Sequence, residues 1–209
     1  MDPSLELRAL VKKMITSIVL TLAVMMTAQL AFAECDISGT IVATPNPSLS
    51  GPAWVYTLTI DWDTGSQNAL SHMDLLLDTS TGTCTCADFS DALSWDDPIG
   101  SSSGDPSCTV DYTGGLECSG DPSIPGVDNI LLKFEPIEEG CEPGVTGTAT
   151  FVFYSNLGPA PVDEDILSLV DKFANNSCFG SLSGDFPSMS CDPVHTEGIG
   201  WGSLKGTFQ

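Results

Sequence analysis

Alternating carboxylates ahead of a glycine are the residues in this sequence best suited to bind a ligand. Asp61 and Asp63 precede Gly65, which is how an oxygen-ligand loop for calcium begins, although the full Asp-x-Asp-x-Asp-Gly-x5-Glu pattern is absent. Further acidic clusters stand at 96–97 and 163–165. The sequence therefore favours a solvated acidic turn, with a weak calcium site at Asp61 and Asp63 as the alternative, and no other cofactor.

Patterns that could support hydrolysis are incomplete. Residues 100–104, Gly-Ser-Ser-Ser-Gly, match Gly-x-Ser-x-Gly, but a nucleophile elbow needs a strand before it and a helix after it. We predict a mobile Ser/Gly loop over 98–106 instead. In a strand, His72 and Asp74 share one face whereas Ser71 points to the other. His72 is therefore expected to fix a turn or the strand register, no catalytic residue is predicted, and a non-catalytic role is favoured.

Aromatic residues that could stack on a sugar are few. The chain has four tryptophans, which are scattered along it: Trp54, Trp62, Trp95 and Trp201. Trp54 begins a predicted strand and is expected in the core. Trp62 and Trp95 lie in turn-like settings and are predicted to face a ligand. If both were exposed on one face, they would form a carbohydrate-binding surface.

The charge balance excludes one class of partner. The 209 residues include 28 Asp plus Glu against 6 Lys plus Arg, a formal net charge of -22. A nucleic-acid binder needs a cationic face to displace phosphate counterions, so nucleic acid is excluded. With 42% hydrophobic and 16% charged residues, the chain can still build a core. A field of this sign favours a soluble monomer and divalent or cationic partners.

The first 33 residues have the order of a secretory signal peptide. Basic residues stand within 1–13, an uncharged apolar stretch covers 14–30, and the small-x-small site Ala31-Phe32-Ala33 follows. An uncleaved membrane anchor is the alternative, because about 20 apolar residues can span a bilayer. We predict cleavage near Ala33, a secreted, extracellular or periplasmic product, and no stable membrane insertion afterwards. Translation starts at Met1 or at Met14.

All eight cysteines lie beyond the predicted cleavage site: Cys35, Cys84, Cys86, Cys108, Cys118, Cys141, Cys178 and Cys191. An even number in an oxidising compartment predicts up to four disulfides, whose connectivity the sequence cannot choose. The absence of a CxxC pair, and of zinc-knuckle or zinc-finger spacing around His72 and His195, argues against a structural zinc site.

Two local pairings are nevertheless suggested by the spacing of the cysteines. Cys108 and Cys118 flank a hairpin-like stretch with Gly-Gly at 114–115, and Cys178 and Cys191 bracket a Gly-, Ser- and Pro-rich loop. Residues 84 and 86 would share one face of a strand but are too extended to bridge each other easily. We therefore expect those two cysteines to bond with different partners.

Period-2 alternation with turn residues between the runs predicts strands over 36–43, 54–61, 72–77, 108–112, 129–134 and 146–154. Residues 163–173 are the exception, because an acidic start and a helical apolar face favour a short helix, with a strand as the alternative. The fold class predicted is all-β: one disulfide-stapled antiparallel β-sandwich, immunoglobulin-like or jelly-roll-like. The predicted organisation is a signal peptide at 1–33, the sandwich at 34–194 and a tail at 195–209.

Several short motifs resemble a known group of proteins. These are Tyr-Thr-x-Thr at 56–59, Leu-Ser-His-x-x-Leu-x-Leu at 70–77, the Lys-Phe strand at 127–134, Phe-x-Phe at 151–153 and a Gly-rich loop ending at Cys191. Together they resemble largely uncharacterised secreted bacterial β-sandwich modules. The resemblance implies a structural, adhesive or surface-recognition module that binds a cell-surface glycan or protein. It implies no reaction; a carbohydrate-binding module is the first alternative and a secreted hydrolase the second.

Overall fold

The computed structural model describes residues 34–77, 84–105, 107–124, 126–127, 130–174 and 176–188, which belong to one compact unit, Ala33–Gln209. The predicted signal peptide and C-terminal tail lie outside the described residues, as do Cys191 and Trp201. No helix among the described residues combines the length and the apolar character needed to cross a membrane.

The described residues form ten strands, one α-helix and one short 3-10 helix. In chain order the elements are β1 (Asp36–Pro45), β2 (Trp54–Asp63), β3 (Leu70–Leu77), α1 (Cys86–Ala92), β4 (Gly100–Asp105), β5 (Cys108–Glu117), β6 (Ile130–Ile137), β7 (Glu142–Pro143), β8 (Thr146–Ser155), β9 (Pro159–Asp171), the 3-10 helix (Lys172–Ala174) and β10 (Ser177–Pro187). The all-β prediction is confirmed, and all six predicted strands are present.

The strands form a closed barrel rather than the predicted two-sheet sandwich. Nine of them follow one another as β5-β6-β3-β9-β10-β1-β2-β8-β4, and β4 pairs with β5 to complete the ring. The short β7 adds to the edge of β4. Because β4 pairs with both β5 and β8, it joins the two ends of the strand order and leaves no open edge between them. The sheets of a sandwich would keep such edges unpaired. The pairs are antiparallel except β1–β10, which is parallel.

Alternation along the strands builds an aromatic core inside the ring. Tyr56 on β2 lies opposite Phe153 on β8, and their rings stack with centroids 5.4 Å apart. Phe151 packs against Phe134 at 4.2 Å and against Tyr112 at 5.3 Å. All five side chains are fully buried. Each follows the period-2 pattern that predicted its strand.

Two glycines permit the parallel pair that joins the first and last strands. A Cβ on Gly180 of β10 would lie 1.6 Å from the backbone oxygen of Ile37 on β1. Gly184 has φ +123°, and a Cβ there would lie 2.0 Å from the backbone oxygen of Ile41. No larger residue fits at either position without moving β1 away from β10.

Three local predictions were wrong. Residues 163–173 are not a helix but lie largely in β9, where both faces from Ile166 to Asp171 are buried, so the alternation is lost. The predicted loop over 98–106 contains β4, a Gly/Ser strand held by its two neighbours. Cys86 begins α1 rather than lying in a strand, because Asp88 accepts hydrogen bonds from the Thr85 N–H and hydroxyl.

The structure also corrects both suggested disulfide pairings. The bonds are Cys35–Cys178, Cys86–Cys118 and Cys108–Cys141, and Cys84 is disulfide-bonded as well. The expected hairpin does not exist: residues 114–115 lie inside β5, so Cys108 and Cys118 stand at opposite ends of one extended strand. Extensive disulfide bonding is typical of extracellular and other oxidising compartments.

Candidate functional site

A cluster of ionisable side chains is buried on the outer face of β3. His72 and Asp74 project from this face, and the register places Lys133 of β6 and Ser168 of β9 beside Asp74. The fifth member, Asp121, comes from the segment between β5 and β6. His72, Asp74 and Asp121 are each almost completely buried. We call these five residues the buried cluster.

The cluster is held together by short polar contacts. His72 Nε2 lies 3.3 Å from Asp121 Oδ2 and 3.9 Å from Asp74 Oδ2. Lys133 Nζ lies 2.8 Å from Asp121 Oδ2 and 3.0 Å from Glu135 Oε1. The Ser168 hydroxyl donates to Asp74 Oδ2 at 3.0 Å. These contacts connect three neighbouring strands to the β5–β6 connection.

Asp121 is also the residue that organises its own segment. Its Oδ1 accepts the Ser123 N–H at 2.6 Å, and its backbone oxygen accepts the Ile124 N–H at 3.0 Å. Ile124 is 2% exposed, so the segment buries an apolar side chain as well as the carboxylate. The ion pair with Lys133 therefore ties an irregular segment to β6.

The prediction that Ser71 points away from His72 was wrong. Ser71 Oγ lies 3.1 Å from His72 Nδ1. The pairing of β3 with β9 shifts register between Leu70 and His72, which interrupts strict alternation at Ser71. The hydroxyl can therefore reach the imidazole of the next residue.

Burial determines the protonation states in the cluster. Burial, reinforced by the nearby Lys133, lowers the pKa of His72 to about 4, although Asp121 opposes the shift. Burial raises the pKa of Asp74 to about 7 despite the hydrogen bond from Ser168. Burial also raises the pKa of Asp121, but the hydrogen bonds from Lys133 and Ser123, together with the nearby His72, outweigh burial and the net shift is downward. The folded cluster thus favours a neutral imidazole beside a charged Asp121–Lys133 pair.

We expect Lys133→Met to lower the free energy of unfolding by about 3 kcal/mol, because it leaves the buried Asp121 carboxylate without its cationic partner. The matched control is Lys172→Met. Lys172 also contacts two carboxylates, at 2.8 Å and 3.0 Å, but Glu138 and Glu142 are exposed. Lys172→Met should lower the free energy of unfolding by less than about 1 kcal/mol. Urea unfolding followed by tryptophan fluorescence measures both.

A third variant separates the lost ion pair from lost packing. Adding Asp121→Asn to Lys133→Met removes the unpaired negative charge of Asp121. The asparagine keeps a side-chain oxygen that can accept the Ser123 N–H. We expect the double variant to recover part of the loss. The interpretation would be contradicted if Lys133→Met and Lys172→Met lowered the free energy of unfolding equally. It would also be contradicted if the double variant were no more stable than Lys133→Met, because the Asp121–Lys133 pair would then not stabilise the β5–β6 connection.

An open groove forms a second candidate site. It encloses about 350 Å³ and combines aromatic and polar side chains, namely those of Asn46, Ser48, Ser50, Pro52, Ser94, Trp95, Asp96 and Tyr154. A smaller depression of about 250 Å³ adjoins it and shares Asp96 and Tyr154. We call the larger of the two the Trp95 groove.

The residues that line the Trp95 groove are held in place by backbone hydrogen bonds and by hydrogen bonds of the Asn46 side chain. The Ser94 N–H donates to the Tyr154 oxygen at 2.9 Å, and the Tyr154 N–H donates back to Ser94 at 2.5 Å. Among the other lining residues, Asn46 Nδ2 donates to the Pro52 oxygen at 2.9 Å, and Asn46 Oδ1 accepts the Ser48 N–H at 3.0 Å. The groove is therefore formed before any ligand arrives.

The two tryptophans predicted to face a ligand have different environments. Trp62 is 5% exposed and its Nε1 donates to the Gly144 oxygen at 3.3 Å, so its predicted ligand-facing role is wrong. It lies on the inward face of β2, which extends two residues beyond the predicted end. Trp95 is half-buried and lines the groove. Trp54 packs partly buried against the core.

The carboxylates of Asp61 and Asp63 both have local partners. Asp61 accepts a hydrogen bond from the Thr148 hydroxyl, and Asp63 Oδ1 accepts the Gly65 N–H at 2.8 Å. Within the described part of the chain, the group of three side chains that could hold a metal is His72, Asp74 and Asp121. The calcium site at Asp61 and Asp63 stays a prediction.

Sequence reasoning placed His72 and Asp74 on one face but missed the rest of the cluster. Asp74 stands within an otherwise apolar strand, Leu-Ser-His-Met-Asp-Leu-Leu-Leu, which was a signal of a buried charge. Asp121 directly precedes a proline, a sequence that by itself indicates only a turn. Lys133 is 59 positions from Asp74, and pairing of β3 with β6 brings the two together.

No protein-family model matches this chain, and no curated protein matches it. A solved structure with partial likeness is the second type II cohesin module from the adaptor ScaA scaffoldin of Acetivibrio cellulolyticus, including its long C-terminal linker. The two are 12% identical with a TM-score of 0.25, and the match covers 74% of this chain and 94% of that chain. By its own features the chain is a disulfide-linked all-β domain with an aromatic groove and a buried ionic cluster.

Proposed function

We propose that the protein is an exported, non-catalytic surface-recognition module that binds a neutral glycan in the Trp95 groove. The observation that carries this proposal is the groove itself: two aromatic rings, Trp95 and Tyr154, beside several hydroxyl and amide groups. Its volume falls within the range of small-ligand sites. The disulfides and the signal-peptide pattern support export.

The chemistry of the groove fits a sugar better than other ligands. Aromatic faces pack on the apolar C–H face of a pyranose, and hydroxyl and amide groups exchange hydrogen bonds with its rim. Asp96 and a net charge of -22 repel anionic ligands. Binding on a preformed groove also costs little conformational entropy.

Asp74, a carboxyl group whose pKa is raised by burial, is not in this groove. Asp74 lies in the buried cluster on β3, with its side chain fully buried. A glycoside hydrolase instead needs two carboxyl groups flanking the bound sugar. This separation of the titratable group from the groove favours recognition over hydrolysis.

The first test is a microarray of neutral oligosaccharides, followed by calorimetry with the best-binding glycan. We expect Trp95→Ala to weaken binding at least tenfold, because it removes the larger aromatic face of the groove. The matched control is Phe179→Ala, since Phe179 is 51% exposed on β10 and does not line the groove. It should leave affinity unchanged. Circular dichroism checks that both variants fold.

Three outcomes would contradict the proposal. The first is a glycan that binds wild type and Trp95→Ala equally. The second is a set of neutral glycans that all fail while a cationic probe, oligolysine, binds. The third is release of reducing sugar from a bound oligosaccharide, which would make the protein an enzyme.

A further inference from the structure

Two buried polar atoms of the cluster have no hydrogen-bond partner. They are His72 Nε2 and Asp74 Oδ1, and both belong to side chains more than nine-tenths buried. His72 Nε2 lies 3.3 Å from Asp121 Oδ2, but the two atoms do not form a hydrogen bond. An unsatisfied buried polar atom typically costs about 1–3 kcal/mol, so proteins rarely leave two side by side without a use. Both atoms belong to side chains directed toward the same small volume, which Asp121 also faces.

We propose that the buried cluster is a site for a borderline divalent cation of the Zn²⁺ class, with His72 Nε2, the Asp74 carboxylate and Asp121 Oδ2 as ligands. One ligand atom from each residue lies within 4.8 Å of the others. Zinc bonds of about 2.0–2.2 Å in tetrahedral geometry place neighbouring ligand atoms about 3.3–3.6 Å apart. The observed 3.3 Å between His72 and Asp121 matches this spacing, and the 3.9 Å to Asp74 needs a small adjustment.

Neighbouring residues orient each ligand as metal sites require. Ser71 contacts His72 Nδ1, which leaves Nε2 directed toward the cluster. Ser123 holds Asp121 Oδ1 through its N–H, and Oδ2 faces the histidine. Ser168 donates to one oxygen of Asp74, while the other oxygen has no partner. Asp74 is thus held through one oxygen only, whereas the second oxygen of Asp121 also contacts Lys133.

The donor set selects among cations. One imidazole nitrogen and two carboxylates suit zinc and similar transition metals, whereas calcium and magnesium prefer all-oxygen sites. Lys133 is the competing cation, because its Nζ lies 2.8 Å from Asp121 Oδ2. Its second partner, Glu135, is 3.0 Å away and can retain the ammonium group when a metal takes the carboxylate. This assignment is independent of the Trp95 groove.

The test is metal content and spectroscopy of the full chain, refolded with its disulfides oxidised in the presence of Zn²⁺ or Co²⁺ and then dialysed. We expect one Zn²⁺ per chain by mass spectrometry, a raised melting temperature, and the intense visible bands of four-coordinate Co²⁺. His72→Gln should abolish all three. Asp74→Asn, which keeps the side-chain shape and the Ser168 contact, is the second variant in case His72→Gln does not fold, and it should weaken uptake at least tenfold.

His195→Gln is the matched control, since the chain has two histidines, and it should bind as wild type does. The proposal is overturned if wild type retains no metal, or if His72→Gln or a folded Asp74→Asn retains as much as wild type. It is also overturned if Co²⁺ shows only the weak bands of six-coordinate oxygen ligation, which would indicate binding at exposed acids.

Discussion

Gly180→Ala is expected to lower the free energy of unfolding by at least about 4 kcal/mol, or to prevent folding. The added Cβ would stand 1.6 Å from the Ile37 backbone oxygen and 2.6 Å from the Ile37 carbonyl carbon. Backbone cannot swing aside as a flexible side chain can, so β10 must separate from β1. Because the β1–β10 pair is one link of the closed ring, the damage reaches the whole sheet. Urea unfolding and near-ultraviolet circular dichroism measure it.

The control for this prediction is Gly115→Ala. Gly115 lies within β5, and a Cβ there would meet nothing within 4 Å. The free energy of unfolding of the Gly115→Ala variant should differ from that of wild type by no more than about 0.5 kcal/mol. If the two variants were equally stable, the β1–β10 contact would not be closed as tightly as the structure places it.

Removing the Cys35–Cys178 disulfide by a double substitution to alanine is expected to cost on the order of 4–5 kcal/mol. The bond joins residues 143 positions apart, so it closes the longest of the three described loops. In the chain-entropy account, a longer closed loop removes more freedom from the unfolded chain. The bond also ties the segment entering β1 to β10, beside the contact that Gly180 permits.

The comparison is the Cys86–Cys118 pair, also replaced by alanines. These two cysteines are 32 positions apart in the sequence. The shorter loop predicts that removing this bond lowers the free energy of unfolding by about 1 kcal/mol less than removing Cys35–Cys178 does. Equilibrium unfolding with the remaining disulfides kept oxidised gives both values. An equal or smaller cost for the Cys35–Cys178 pair would mean that loop length does not decide the contribution of these bonds.

Strand prediction succeeded where one face of a strand meets the core and the other does not. The apolar alternation of β2 and β8 marked them as strands, because Tyr56, Leu58 and Phe151 point inward between outward polar residues. It failed for β9 because both faces of that strand are covered from Ile166 to Asp171. It failed for β4 because residues 100–105 carry no large apolar side chain.

Long-range pairing explains the other failures. The cysteine spacing suggested local bonds, yet Cys108 bonds with Cys141 and Cys178 with Cys35. The buried cluster likewise depends on β3 lying between β6 and β9 and on where the β5–β6 connection runs. Asp121 has no sequence signature of a ligand or an ion-pair partner.

The sequence by itself determined the all-β class, six of the strands and the even set of cysteines beyond a signal-like leader. Only the tertiary structure decided the closure of the ring, the disulfide partners, the burial of Trp62 and the meeting of His72, Asp74 and Asp121. The physical reason is that alternation is a local property, set by which side of a single strand faces water. Ring closure and the assembly of the cluster depend instead on contacts between residues far apart in the chain, and no local pattern encodes them.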